Sequence, residues 1–342
     1  MQKKLDGKIF IELKIMADSL PKNILSTIIY YDVLDYPLTS FEIWKYLIIH
    51  NVEPAYRTGR RETQNDDNKC SLADIIKELE NEEVKKYIEE YRGFYFLKGR
   101  IDLVEQRIKR NKISASKLKR LRRAVWLLRF VPYVRMIAVT GTLAMKNAEK
   151  PSDWDLLIVL EKGKIWTGRT LVTAAVQLIG KRRYGEKIKN RICLNYFITT
   201  SSLEIRTKDL FSANEYYFLF SLFDSGSYYN KFQLKNSWIR DFKPNYQLNE
   251  VISPKTLRDS GISLIIRNIL EKILNLPAGR QGFDFLENYL RKWEKGKIER
   301  NPKTQKVGSF IEATDEALIF LPEPQGPKVF EEFKRKLADL GI

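Results

Sequence analysis

Val134-Arg135-Met136-Ile137-Ala138-Val139-Thr140-Gly141-Thr142 leads, twelve residues from Gly141, to Asp153 within Ser152-Asp153-Trp154-Asp155-Leu156-Leu157-Ile158-Val159-Leu160. Residues 134–139 read as a strand. Residues 155–160 read as a second strand, apolar on both faces and therefore central in a sheet. Between them Gly141 permits a sharp turn and lets an anion approach the backbone. Thr142 is expected to cap a short helix whose free N–H groups suit a phosphate. Period-two alternation puts Asp153 and Asp155 on one face of their strand, with Trp154 pointed the other way into packing.

Outward from this stretch the pattern continues as alternating β and α. Trp166 to Ile179 reads as a helix and Ile192 to Ile198 as a third strand, in which Cys193, Asn195 and Phe197 should share one face. Paired carboxylates beside a phosphate-binding turn match the needs of Mg²⁺, which takes hard oxygen ligands and accompanies triphosphates. One or two such ions polarise an α-phosphate and relieve the repulsion between the two acids. Arg169, on the first turn of the helix, is expected to reach a triphosphate. The run from Lys181 to Arg191 holds six Lys or Arg against one Glu, with a surface role as the plain alternative.

Strand, Gly-Thr, the twelve-residue offset, Ser-Asp-x-Asp and an apolar strand together resemble the polymerase β-like nucleotidyltransferase superfamily, over residues 115 to 205. Gly141 and Thr142 fall on its Gly-Ser pair, and Asp153 and Asp155 on its two metal-binding acids. The resemblance implies that Gly141, Thr142, Ser152, Lys146 and Arg169 contact the nucleotide. It implies a Mg²⁺ cofactor held by Asp153 and Asp155, and transfer of a nucleoside monophosphate from a nucleoside triphosphate to a hydroxyl. The sequence departs from the family in three places. Thr142 replaces Ser, Met145 and Lys146 replace a frequent Arg-Gly, and Asn195 stands at the expected third-carboxylate position. An amide there cannot act as a base at neutral pH. The alternative function is therefore a catalytically weak or inactive regulator that keeps the fold and binds nucleic acid.

Upstream, residues 21 to 49 read as two helices, the second capped by Thr39 or Ser40. A polar stretch, 58 to 69, reads as a loop. Ser71-Leu72-Ala73-Asp74 opens a third helix bearing Ile75, Ile76 and Leu79, and residues 91 to 100 read as a hairpin punctuated by Gly93 and Gly99. This order resembles a winged helix-turn-helix domain, with a helical protein-interaction domain as the alternative. From Lys98 to Arg123 eleven Lys or Arg face two acids. A helix beginning near Ser114 or Ser116 should bury Leu118, Leu121, Val125 and Leu128. It would present Lys117, Lys119, Arg120, Arg122 and Arg123 on its other faces; Lys119, Arg120, Arg122 and Arg123 are the candidate nucleic-acid contacts.

Downstream of residue 205 the pattern is helical, near 213–224, 228–240, 255–275, 283–295 and 328–339. Ser212 to Glu215 reads as a capping box and Ser253-Pro254 as a helix start. Residues 276–282 read as a loop, and 300–327 carry no clear pattern. The expected class is α+β in three parts: a winged-helix-like module (1–100), a nucleotidyltransferase core with its basic leading helix (101–205) and a helical C-terminal region (206–342).

Composition narrows the chemistry. The 342 residues include 60 Lys or Arg and 43 Asp or Glu, a net charge of +17, and 18 Phe, 17 Tyr and 6 Trp that need a core. Two cysteines, Cys70 and Cys193, exclude a disulfide scaffold. One histidine, His50, excludes a His-rich zinc site and reads as a helix C-terminus. No apolar run is long enough to span a membrane and the N-terminus has no secretory pattern, so a cytoplasmic location is expected, with a nucleoside triphosphate and nucleic acid as candidate partners.

Overall fold

The computed structural model describes residues 20–49, 70–247, 256–275 and 282–342. His50, the 58–69 loop, Ser253-Pro254 and most of the 276–282 loop lie outside the described residues. The molecule is a mixed α+β structure. Its elements are α1 (20–33), α2 (Ser40–Lys45), α3 (Leu72–Leu79), α4 (Glu82–Lys85), β1 (Ile88–Tyr91), β2 (Phe94–Leu97), α5 (Asp102–Leu128), β3 (Val134–Val139), α6 (Gly141–Ala144), β4 (Trp154–Leu160), α7 (Ile165–Leu178), β5 (Ile192–Thr199), α8 (Leu210–Phe218), β6 (Phe220–Asp224), α9 (Tyr228–Lys235), a 3₁₀ turn (Ser237–Asp241), α10 (Gly261–Leu274), α11 (Gly282–Glu299), β7 (Phe310–Ala313), β8 (Ala317–Leu321) and α12 (Gln325–Leu340).

Six strands form one sheet in the order β6-β3-β4-β5-β8-β7, with β4 and β5 parallel and every other neighbour antiparallel. Strand β4 is central, as its apolar faces require. Leu157 and Val159 face one core, shared with Met136, Ile198 and the aromatic residues of the N-terminal helices and α8. Leu156, Ile158 and Leu160 face the other, shared with Leu121 and Val125 of α5 and Val172 and Val176 of α7. Helix α7 lies close on the sheet: a Cβ on Gly168 would meet the Leu160 methyls at 2.9 Å.

The N-terminal helices cap as expected, while the second stops at Lys45 and the hairpin lies at 88–97 rather than 91–100. Thr39 and Ser71 each close a capping box, with Glu42 and Asp74. The β1–β2 hairpin turns at Arg92 and Gly93, both at positive φ, and Leu38 adds a bridge to Tyr95. These elements dock on the sheet layer through Tyr side chains. Tyr31 donates to Asn214 at 2.6 Å, Tyr36 donates to the Met145 carbonyl at 2.9 Å, and the Arg107 guanidinium stacks 3.2 Å from the Tyr36 ring centroid.

Several expectations are corrected. Helix α5 runs unbroken from Asp102, because Ser114 is buried inside it and donates no start; its hydroxyl instead accepts from the Ala148 N–H. The stripe Leu118, Leu121, Val125 and Leu128 is buried as expected, but Lys117 is buried beside it rather than solvated. The 213–224 helix is two elements, α8 and then β6, since Phe220–Asp224 completes the sheet beside β3. Helix α8 is capped by Asp209, three residues before Ser212, so Ser212 to Glu215 is not its capping box. Helix α10 starts at Ser260, which makes a capping box with Ser263. The unpatterned 300–327 segment contains β7 and β8, and β8 pairs with β5. Among the described residues no helix is long and apolar enough to cross a membrane.

Candidate functional site

The site lies where β3 ends, β4 begins and β5 begins. Thr140 N–H bonds the Asp155 carbonyl at 3.1 Å, tying the end of β3 to β4. Gly141 then takes φ +63°, and a Cβ there would stand 3.0 Å from Asp155 Oδ2. Both facts restrict the position to glycine: an L side chain would be strained and would push on the carboxylate. The turn continues into α6, whose N-cap is Thr140 with no side-chain cap bond, so Thr142 does not cap it and is exposed. Lys146 follows at positive φ and is exposed.

The loop that delivers Asp153 is pinned from behind. Lys117 Nζ donates to the Ser152 carbonyl at 2.6 Å, the Lys150 carbonyl at 3.1 Å and Asn190 at 3.2 Å. Asn147 donates to the Leu34 carbonyl at 2.9 Å. Ser152 is spent on the same loop, its hydroxyl accepting from the Glu149 N–H at 2.8 Å and donating to the Glu149 carbonyl. Burial lowers the Lys117 pKa, while Asp153 opposes that fall.

Ligand atoms of Asp153, Asp155 and Cys193 lie within 4.8 Å of one another. Asp155 pairs with Cys193 across β4–β5, but Leu157 pairs with Tyr196, so β5 carries one extra residue between them. That bulge corrects the simple alternation expected for Cys193, Asn195 and Phe197. Cys193 and Tyr196 take the face of Asp155 and Leu157, and Phe197 packs on the opposite core with Ile158. The side chain in register with Asp155 is Cys193, not Asn195.

Arg183, from the basic run after α7, donates to Asp153 Oδ2 at 2.5 Å and to Cys193 Sγ at 3.5 Å. Arg169 stands elsewhere. It pairs with Glu294 of α11 and stacks 4.6 Å from the Phe320 centroid, on the core that holds Phe197. Residues Lys119, Arg120, Arg122 and Arg123 are exposed along α5.

The acids repel. Burial, with Asp153 beside it, pushes the Asp155 carboxyl well above the usual range, and Arg183 only partly offsets this. Glu215 of α8 is pushed up to about 7 by burial first, then by Asp155 and Asp209, while the Gly141 N–H that bonds it works the other way. Burial and the two aspartates likewise push the Cys193 thiol up to about 12. Glu215 braces the Gly141 turn, whereas its local sequence offers it only as part of a helix cap. Nothing in its local pattern marks it, because its meeting with Gly141 is a tertiary contact.

Two oxygen donors fit a divalent cation, which would relieve the repulsion between Asp153 and the buried Asp155. A thiol is a poor Mg²⁺ ligand, so Asp153 and Asp155 are the residues that would hold Mg²⁺. Compared with known proteins, the chain gives no match to a family model, to a curated protein or to a solved structure.

Proposed function

We propose that the protein is a Mg²⁺-dependent nucleotidyltransferase of the polymerase β-like kind. It would move a nucleoside monophosphate from a triphosphate to a hydroxyl of a nucleic acid, a protein or a small molecule, in the cytoplasm. The observation that carries this reading is the meeting of a glycine turn with two paired carboxylates: Asp155 Oδ2 lies 3.0 Å from where a Gly141 Cβ would stand, with Asp153 beside it. The strand order and the helices on both faces suit such a core. The Leu38 bridge to the β1–β2 hairpin suits a winged-helix-like module ahead of it.

In this reading Asp153 and Asp155 hold the cation, and the Gly141–Thr142 turn receives the phosphates with Lys146 at its far end. The bound cation neutralises the phosphates and polarises the reacting phosphorus. Lys117 keeps Asp153 in place by gripping the carbonyls before it, and Glu215 keeps Gly141 in place through its N–H. Arg183 already bonds Asp153, so triphosphate binding would turn its guanidinium from the carboxylate to a phosphate, which it matches in geometry.

A second reading is favoured by Cys193. A thiol pushed up to about 12 stands in register with Asp155, where a third carboxylate would help deprotonate the acceptor. The chain would then bind one Mg²⁺-triphosphate and turn over poorly, acting as a nucleic-acid-binding regulator. Helix α3, at the place of a recognition helix, exposes Asp74 and Lys77 and is followed by the exposed Glu80, a surface with no excess of cations for a phosphate backbone. The exposed basic face of α5 is the better nucleic-acid candidate. The test is incubation with each labelled triphosphate and Mg²⁺, followed by a search for label on the protein, on RNA and in small products. Transfer to any of them supports the enzyme; binding without transfer supports the regulator.

A further inference from the structure

Helix α10 is amphipathic in the reverse of the usual sense. Its polar side is inside: Ser263 and Arg267 are buried, and Arg267 bonds Asp259 at 2.9 Å and the Arg129 carbonyl at 3.1 Å. Glu271 accepts from the Tyr133 N–H at 2.7 Å and from both Arg135 guanidinium nitrogens at 2.9 Å. Its apolar side is outside. Ile262, Ile265, Ile266, Ile269, Leu270 and Ile273 are 38 to 69% exposed. At 100° per residue they fill one continuous arc of roughly 140°.

We propose that this arc is the contact between two copies of the chain, the two α10 helices lying antiparallel across a two-fold axis. Ile262, Ile266, Ile269 and Ile273 step by four, three and four, the spacing of a helix–helix seam, and a two-fold axis sets such a seam against itself. Helix α11 repeats the pattern: Glu287 and Glu294 are buried, while Phe285, Tyr289 and Trp293 are 46 to 73% exposed. The six α10 side chains alone expose on the order of 600 Å², the upper end of the ~300–600 Å² patch of an ordinary monomer, and doubled across the axis they reach the low end of the ~1,200–2,000 Å² total of a specific interface.

The chemistry of the face selects the occupant. Two of α10's three charged side chains, Arg267 and Glu271, are spent inside. The arc itself carries no charge, and the third, Lys272, stands exposed at its margin as a single cation, too little for a nucleic acid or an acidic peptide. A helix that lies on a membrane keeps Lys and Arg on its polar face, whereas that face here is packed against β3.

The experiment is sedimentation velocity on the full chain across micromolar concentrations, at low and high salt. A dimer is expected, tightening as salt rises because each copy carries a net charge of +17. Ile266→Glu with Ile269→Glu should raise the dissociation constant by about tenfold or more while the melting temperature at protein concentrations too low for dimer stays that of the natural chain, since both positions are exposed. Ile262→Glu with Ile273→Glu should act alike. A chain that is monomeric throughout, whether or not it binds phosphatidylglycerol vesicles, would overturn the proposal. So would a dimer indifferent to both double variants.

Discussion

Two clusters of half-buried carboxylates sit at opposite ends of the β3–β4 pair, and they are balanced differently. At one end Glu271 and Asp259 face Arg135 and Arg267, and the Tyr133 N–H adds a further donor. The Glu271 pKa is held below its ordinary value despite burial, because Arg135 and that N–H outweigh desolvation. At the other end Asp153, Asp155 and Glu215 have one close guanidinium, Arg183, and both Asp155 and Glu215 are pushed up. The first cluster is complete and fastens α10. The second lacks such a match among the described residues, the arrangement that the proposed cation site requires.

Breaking the site end should have the largest effect. Asp153→Asn or Asp155→Asn should weaken Mg²⁺-triphosphate affinity at least tenfold, about 1.4 kcal/mol, as read by calorimetry. In the Asp155 variant stability should move the other way. A carboxyl raised in the fold holds its proton there but not when unfolded, so its stability contribution fades as pH rises from about 4 towards 7. Asp155→Asn should therefore raise the melting temperature at pH 8 and change it little at pH 5.

Breaking the balanced end should only destabilise. Glu271→Gln leaves Arg135 and Arg267 short of an anion and should cost about 2–4 kcal/mol in urea unfolding, with triphosphate affinity intact. The lowered pKa makes this contribution present at neutral pH and lost only as pH falls below about 4.

A third charge sharpens the comparison because no anion pairs with it among the described residues. Lys243 is fully buried among Tyr30, Tyr31 and Tyr217, donates to the Tyr31 hydroxyl at 3.0 Å, and is pushed down to about 7 by burial. Between pH 7 and about 10 the unfolded chain binds the extra proton, so stability rises with pH across that window. Lys243→Met should stabilise by about 1–3 kcal/mol at pH 6 and by less at pH 9.

The smallest effect is expected from the surface of α5. Lys119, Arg120, Arg122 and Arg123 changed together to Gln should flatten the salt dependence of nucleic-acid binding, each lost phosphate contact reducing the slope by about one. Unaltered slopes, or no binding at low salt, would leave that face merely solvated.

What the sequence made legible was local. The strands at 134–139 and 154–160, the glycine turn and the Asp153–Asp155 face follow from period-two alternation and one φ-permissive residue. What it hid depended on distant partners. The bulge in β5 moves the register from Asn195 to Cys193, and no periodicity reports an extra residue. The density of Arg100, Arg107, Arg110 and Lys117 points toward an anionic ligand, yet these four are engaged by Asp35, Glu42, Glu149 and the loop carbonyls. Arg169 looked poised for a phosphate until Glu294, from α11, claimed it. Strands β6, β7 and β8 were missed because short segments at a sheet margin carry too few residues to show a period.

The central claim, that Asp153 and Asp155 form a cation-dependent triphosphate site, is tested most directly by calorimetric titration of the natural chain with each nucleoside triphosphate, with Mg²⁺ and with Mg²⁺ chelated. The account predicts binding that needs Mg²⁺ and is lost in both Asp→Asn variants. Affinity that is absent, or unchanged by chelation and by both substitutions, would contradict it.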